Sequence, residues 1–381
     1  MKVNIFICGD IVNTKKDSGL IISTELEKII KSADFSICNF EAPIENAGSS
    51  IVKSGPHIRQ KKATLLGLKK QGFDLIQLAN NHMMDFGEDA LKETVTQASK
   101  VGLETVGAGL NYQNAYTPLI KKINGITFGI INACEAQFGV LDYSKDKNSS
   151  GYAWINHNQI DKNVLELKKL CDFILVLSHA GLENYSIPQK EWRERYRHLC
   201  DLGADIIIGT HPHVPQGYEE YNNSFIFYSL GNFYFDWGRH AANDDKSYSV
   251  FLEFEKDQKP VFKPIYHITR IQKQEVDLAL PDEEINLSEL SSQLKDDYEQ
   301  LHNDMTLKAY ESVRINFLRS FSFIPQGYNF KSTVKEILAT ALGRRKKIDK
   351  LTLSLHLLRN EAYYFVARNA LELLQKQRYE K

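Results

Sequence analysis

Most of what this chain can fold into is decided by a series of short, nearly unbroken apolar runs in its first two thirds. Val3–Cys8, Phe35–Cys38, Asp74–Leu78, Ile126–Ile131, Phe173–Leu177, Asp205–Ile208 and Phe225–Tyr228 are rich in β-branched and aromatic residues and read as strands. Runs of this kind, without polar alternation, mark strands buried on both faces. Between many of them lie segments with helical spacing: Ala63–Gln71, Glu88–Val101, Gln159–Leu170 and Gln189–Leu202. The β-α-β rhythm predicts a layered α/β domain with a buried inner sheet. Two more strand-like runs follow, Ser249–Glu255 and Val261–Thr269, and then the rhythm stops. A chain of 381 residues has room for one large domain and an extension. The boundary is therefore expected at Arg270, with residues 1–270 as the α/β domain and 271–381 as a C-terminal extension.

The extension changes character along its length. Pro281–Gln300 is acidic, and Leu301–Lys381 is basic and mostly helical in spacing. Leu351, Leu353 and Leu355 alternate, a pattern that admits a short strand within the otherwise helical extension; Leu357, Leu358, Ala362, Phe365, Val366 and Leu371 predict an amphipathic helix after it. Such a helix must cover something: the α/β domain, a second copy of the chain in a homo-oligomer, or a partner. The basic cluster Gly343-Arg344-Arg345-Lys346-Lys347 reads as a solvated helix start rather than a phosphate or lipid contact, being short and placed before the apolar face instead of along it.

Whole-chain charge narrows the partners. Forty-seven Lys+Arg stand against 48 Asp+Glu, a net −1 that argues against nucleic acid or an anionic membrane as the main partner. Cys8, Cys38, Cys134, Cys171 and Cys200 are odd in number and show no C-x-x-C spacing, so they read as reduced, mostly buried thiols. The first apolar run is too short for a secretory h-region, and no segment is long enough to span a bilayer. A soluble, cytoplasmic protein is expected.

The chemistry is expected at the strand ends. They carry Gly9-Asp10, Asn39-Phe40-Glu41, Ala79-Asn80-Asn81-His82, Ser178-His179-Ala180-Gly181 and Gly209-Thr210-His211-Pro212-His213. In layered α/β folds the carboxyl ends of strands line one crevice. Two carboxylates, one amide and four imidazoles would converge there. Mixed oxygen and imidazole donors suit two divalent ions of the Mn²⁺, Fe²⁺ or Zn²⁺ type, and Glu41 can bridge them. Phosphate-binding loops, nucleophile elbows and H-E-x-x-H pairs are missing from the sequence.

In order, Gly9-Asp10, Asn39-Phe40-Glu41, Ala79-Asn80-Asn81-His82 with Asp85-Phe86-Gly87, His179-Ala180-Gly181-Leu182-Glu183-Asn184-Tyr185, Gly209-Thr210-His211-Pro212-His213 and Tyr228-Ser229-Leu230-Gly231-Asn232-Phe233 resemble the CapA family of poly-γ-glutamate capsule biosynthesis proteins. That family is a branch of the calcineurin-like metallophosphatase superfamily. The resemblance covers roughly residues 1–270 and implies a four-layer α/β/β/α metallophosphatase-like sandwich, followed here by the helical extension. It implies that Asp10, Glu41 and His213 hold a first ion, with Glu41 bridging to a second held by Asn81, His179 and His211. It makes His82 the group that contacts or protonates the reacting center. The superfamily's Asp-x-His reads Asp10-Ile11-Val12 here, so the first ion has one ligand fewer, and Ala180 stands where the family often has Trp. Arg59 matches a position that tends to be basic and would hold an anionic group of a small-molecule or polymer substrate. Glu183 would orient His179 or fix a substrate amine, while Asn232 reads as a turn residue.

The implied activity is metal-assisted hydrolysis, most simply of a phosphoester, in capsule or poly-γ-glutamate metabolism. Two alternatives stand beside it: a non-catalytic accessory subunit of a synthesis and export complex, and a γ-glutamyl amide hydrolase or transferase. A fold and a metal site of this kind do not separate phosphorus from acyl carbon.

Overall fold

The computed structural model describes residues 2–238, 245–322, 327, 330–342 and 349–379. The chain divides into two compact units, Met1–Ile51 with His57–Asp296 and Val52–Pro56 with Asp297–Lys381. The first half of unit 1 runs β1 (Lys2–Val12), α1 (Thr24–Lys31), β2 (Phe35–Phe40), α2 (Ala63–Lys70), β3 (Leu75–Gln77), α3 (Gly87–Val101), β4 (Glu104–Val106), β5 (Ala108–Gly109), α4 (Tyr112–Tyr116), β6 (Leu119–Ile123) and β7 (Ile126–Cys134). It continues with β8 (Val140–Leu141), β9 (Gly151–Ala153), α5 (Asn158–Leu167), β10 (Phe173–His179), α6 (Lys190–Leu202), β11 (Ile206–Thr210), β12 (Tyr218–Tyr221), β13 (Ser224–Phe227), β14 (Asn232–Phe235), β15 (Asp245–Glu255), β16 (Val261–Arg270), β17 (Glu275–Leu278) and α7 (Leu287–Ser292). Unit 2 holds α8 (Tyr298–Phe321), α9 (Phe330–Ala341), α10 (Lys350–Arg359) and α11 (Glu361–Tyr379).

Two sheets stack face to face. One has the order β17-β16-β15-β1-β2-β3-β4, with β14 also on β1, and the other β12-β13-β11-β10-β7-β6. The even and odd positions of each inner strand explain the layers. Val3, Ile5 and Ile7 of β1 join Leu175 and Leu177 of β10 in the core between the sheets. Phe6 and Cys8 of β1 face the other way, against Leu26 and Ile30 of α1 and Leu65 and Leu68 of α2. On the far side of the second sheet, α5 packs on β7 and α6 on β11 and β13. This is the four-layer α/β/β/α sandwich expected from the resemblance, and it accounts for strands without polar alternation.

Parallel pairing brings the chemistry to one edge. β1 pairs β2 with Asp10 opposite Asn39, and β10 pairs β11 with His179 opposite Thr210. Gly9 admits no side chain, because a Cβ there would lie 1.8 Å from the Gly231 carbonyl oxygen. That closeness lets Asp10 N–H donate to the same oxygen at 3.2 Å and seats β14 beside the site.

Two expectations for the extension are corrected. Unit 1 continues past Arg270 to Asp296, because β17 pairs β16 and buries Val276, whose backbone bonds Ile21 and Ser23, while Leu287 enters the core between the sheets. The alternating leucines 351, 353 and 355 lie in α10, not in a strand; Asp349 Oδ1 caps that helix by accepting from Leu351 N and Thr352 N at 3.1 and 3.3 Å. The cluster Gly343–Lys347 lies outside the described residues. Four of the five cysteines are buried, and among the described residues no helix is long and apolar enough to cross a membrane.

A chain ended after Asp296 is expected to melt cooperatively and stay monodisperse. One ended after Arg270 loses β17 and Leu287, exposes the β16 edge, and should aggregate or melt at lower temperature. Thermal melts with light scattering on the two decide it; equal behavior would refute the boundary at Asp296.

Candidate metal centre

Six side chains from five strand ends meet in a buried pocket. Asp10, Glu41 and His179 offer atoms within 4.8 Å of one another, as do Glu41, His211 and His213. Glu41 belongs to both groups, the position expected of a bridging ligand. Its Oε1 lies 3.8 Å from His179 Nε2 and 3.7 Å from His213 Nε2. Asn81 Oδ1 is 3.1 Å from His179 Nε2, which in turn is 3.1 Å from His211 Nδ1. The expected ligands Asp10, Glu41, Asn81, His179, His211 and His213 are thus brought together, although the grouping crosses the two sets implied by the resemblance, with His179 beside Asp10.

The decisive feature is Glu41. Its side chain is wholly buried, and neither carboxylate oxygen accepts a hydrogen bond. Buried carboxylates without donors are costly and rare. An oxygen pair left bare among three imidazoles and a second carboxylate fits a cation, so these residues suit divalent ions.

The electrostatics agree. Burial pushes the Glu41 carboxyl well above its ordinary range, and the Asp10 charge adds to it. Asp10 is also buried, but the hydrogen bond to His213 and the charges of His179 and His213 outweigh that and hold it low. Burial lowers His213, yet Glu41 and Asp10 raise it to about 10. Burial draws His211 down to about 4 and His179 well below its usual value. The two acidic groups and the His213 imidazole thus hold their protons jointly.

Backbone and neighbors aim these groups. His211 and His213 have φ of 95° and 60°, a region that side chains rarely adopt and that costs about 1–3 kcal/mol each. His211 N–H donates to Asp10 Oδ2 at 3.2 Å, which ties the strained turn to the site. Asn39 Nδ2 donates to Asp10 Oδ1 at 2.7 Å and lies 3.1 Å from His179 Nδ1, whose other neighbor is Thr210 Oγ1 at 2.9 Å. The loop bearing Asn81 and His82 is pinned by Asn132 Oδ1, which accepts from Leu78 N and Ala79 N at 3.1 and 2.8 Å.

Several working residues were missed in the sequence reading. Asp85 Oδ2 sits 2.7 Å from His82 Nδ1 and accepts from Ile58 N at 2.8 Å, so it fixes the ring of the expected catalytic imidazole. Its place three residues after His82 was the available signal. Glu135 directly follows β7; its Oε1 is 3.7 Å from His211 Nε2, and its Oε2 accepts from Gly181 N at 3.1 Å. Asn232 is no mere turn residue: Oδ1 lies 2.9 Å from His213 Nδ1, while Nδ2 donates to Asp245 Oδ2 at 2.9 Å. With its amide oriented by Asp245, Asn232 Oδ1 accepts a hydrogen bond from His213 Nδ1–H and turns Nε2 toward Glu41.

The two substrate candidates differ. Arg59 lies over the Phe86 ring at 3.6 Å and donates to the Gly48 carbonyl at 3.0 Å. Glu183 is half-buried on the loop after His179, where Asn184 N–H donates to the Pro212 carbonyl between the two strained histidines at 2.8 Å. Its charge raises Glu41, His211 and His213, which puts it within electrostatic reach of the cluster.

The family model described as "Bacterial capsule synthesis protein PGA_cap" matches residues 5–237, which carry every one of these ligands. The chain belongs to this family. PGA biosynthesis protein CapA of Bacillus subtilis (strain 168) is 34% identical over 226 residues, 58% of this chain and 58% of that protein. Capsule biosynthesis protein CapA of Bacillus anthracis is 31% identical over 222 residues, 56% of this chain and 54% of that protein. The chain thus spans a little over half the length of these curated relatives. A solved structure described as a novel phosphatase of Mycoplasma pneumoniae is similar at 18% identity and a TM-score of 0.44, covering 72% of this chain and 98% of that one.

Replacing Asn232 with Ala should free the His213 ring and weaken divalent-ion binding about 10- to 100-fold, with little change in the far-UV spectrum. Calorimetric titration of both proteins with Mn²⁺ tests this; unchanged affinity would return Asn232 to a turn role.

Proposed function

We propose that this PGA_cap family protein is a dinuclear metal-dependent hydrolase acting in capsule or poly-γ-glutamate metabolism. The observation that carries the reading is the bare, buried Glu41 carboxylate at the meeting point of His179, His211, His213 and Asp10. Asp10, Glu41 and His213 would hold one divalent ion, and Glu41, Asn81, His179 and His211 a second, of Mn, Fe or Zn. Bound there, the ions would supply Lewis acidity and lower the pKa of water at the site.

The chain's own residues supply the rest. His82, whose Nδ1 is held by Asp85, would donate a proton to a leaving group or a hydrogen bond to developing charge. Asn39 and Asn232 keep Asp10 and His213 in register. Glu183 at the cluster is suited to a substrate amine and gives the γ-glutamyl amide reading a specific foothold beside the phosphoester one. Cysteines that form no disulfide support a reducing, cytoplasmic setting.

Two outcomes are expected. Purified protein should take up close to two divalent ions with release of protons, because His213 is protonated at neutral pH and must deprotonate to ligate. Affinity should accordingly rise with pH, as calorimetry in buffers of different ionization heat would show; wild type binding no Mn²⁺, Fe²⁺ or Zn²⁺ would refute the site. In a panel of phosphoesters and γ-glutamyl peptides, His82→Ala should lower kcat about 10²–10⁴-fold with metal content unchanged, and Asp85→Asn about 10- to 100-fold. Metal loss in His82→Ala would make that residue a ligand, and metal uptake with no turnover of any substrate would make the protein an accessory subunit.

A further inference from the structure

The three histidines gathered around Glu41 do not turn the same nitrogen toward the cluster. His179 and His213 present Nε2, at 3.8 and 3.7 Å from Glu41 Oε1. His211 presents Nδ1, which lies 3.1 Å from His179 Nε2. The other nitrogen of each ring meets a different kind of partner. Thr210 Oγ1 and Asn39 Nδ2 stand 2.9 and 3.1 Å from His179 Nδ1, and Asn232 Oδ1 stands 2.9 Å from His213 Nδ1. These partners are neutral, and the carboxylate near both rings, Asp10 at 3.7 and 3.4 Å, is itself an expected ligand. Behind His211 Nε2 lies a carboxylate with no place among the ligands. Glu135 Oε1 is 3.7 Å away, and Gln137 Nε2, which donates to that same oxygen at 2.8 Å, is 3.5 Å away. Glu135 is wholly buried and tied to the loop after β10: its N–H donates to the His179 carbonyl at 3.0 Å, and its Oε2 accepts from Gly181 N at 3.1 Å. Gln137 is held in turn through its own N–H, which donates to Tyr152 Oη at 3.0 Å.

We propose that Glu135 is the positioning residue for His211: it keeps the ring proton on Nε2, so that His211 ligates through Nδ1, and its charge strengthens the hold of that ring on the second ion. The assignment rests on the dinuclear reading of the site. A neutral imidazole carries one N–H, and a carboxylate beside one nitrogen places it there. The lone pair is then left on Nδ1, the nitrogen that faces His179 and the other donors. A charged acceptor also makes the ring a better donor to a cation than a hydroxyl or an amide acceptor does. At 3.7 Å the pair is a charge–dipole contact rather than a full hydrogen bond, and in a wholly buried setting a charge acts over that distance with little screening. The bonds to Gly181 and Gln137 would be satisfied by an uncharged oxygen as well. The negative charge, costly to bury, is accounted for by the imidazole beside it. Gln137, by donating to Oε1, fixes the rotation of the carboxylate.

Two measurements on the full chain test this. In zinc-loaded protein labeled with ¹⁵N-histidine, the His211 ring, identified by the signals missing from His211→Gln, should carry zinc on Nδ1 and a proton on Nε2. In calorimetric titration with Mn²⁺, Glu135→Gln keeps an oxygen for Gly181 N–H and should weaken one binding step about 10- to 100-fold, with far-UV spectrum and melting temperature near wild type. Moving the charge, with Glu135→Gln and Gln137→Glu together, should restore most of that affinity, a rescue that a merely structural role would not show. Zinc on Nε2 of His211 overturns the proposal. So does unchanged affinity in Glu135→Gln, or no recovery in the exchanged pair. If Glu135→Gln does not fold, the wild-type spectrum decides, zinc on Nδ1 upholding the proposal and zinc on Nε2 overturning it. A wild type that binds neither Mn²⁺ nor Zn²⁺ overturns the metal-centre reading itself and this assignment with it, whereas failure of the assignment alone leaves wild-type binding intact.

Discussion

One buried carboxylate organizes the site in this protein. Glu41 stands at the end of β2 with both oxygens bare, in a pocket where the fold places Asp10, His179 and His213 around it. Burying such a group costs several kcal/mol unless something compensates. Without metal, the compensation comes from His213, whose proton is held up to about 10 by the two carboxylates beside it. The donors gathered at this point, carboxylate oxygens and imidazole nitrogens, are of the kinds that suit a divalent ion.

The surrounding structure is arranged to keep those donors fixed. Gly9 permits β14 to approach β1 closely enough for Asn232 to reach His213, and Asp245 orients the Asn232 amide. His211 and His213 sit at positive φ, strain that the Asp10 hydrogen bond and the Asn232 contact help to hold. Asn132, on a strand of the second sheet, pins the loop of Asn81 and His82 from below. The rigidity comes from the sheets, and the chemistry sits on the loops they position.

Unit 2 follows a different logic. Its helices bury a modest apolar seam and leave further leucines and Phe330 facing water. The sequence pattern places one apolar face at Leu357–Leu371. In the structure part of that face is inside the bundle, as Leu357 and Val366 show, and the exposed apolar side chains are those of Phe330–Leu338 and Leu351–Leu358. Periodicity identifies an amphipathic helix but does not say which of its residues neighbors will cover.

The layered α/β core and the ligand residues were legible in the sequence, because strands buried on both faces must be continuously apolar and polar donors at their ends are conspicuous by contrast. Asp10, Glu41, Asn81, His179, His211 and His213 were each visible in that way, and the order of their motifs pointed to the family. The partners that aim them were not. Asn39, Glu135, Asn232 and Asp85 are ordinary polar residues whose roles depend on distances across strands and loops far apart in sequence. The leucine alternation at 351–355 misled, since a helix capped by Asp349 and packed through Leu357 overrides a local pattern of period two. The chain alone determined which residues are polar at strand ends; only the tertiary structure decided which atoms face one another, because register and backbone strain arise when the two sheets close on a common core.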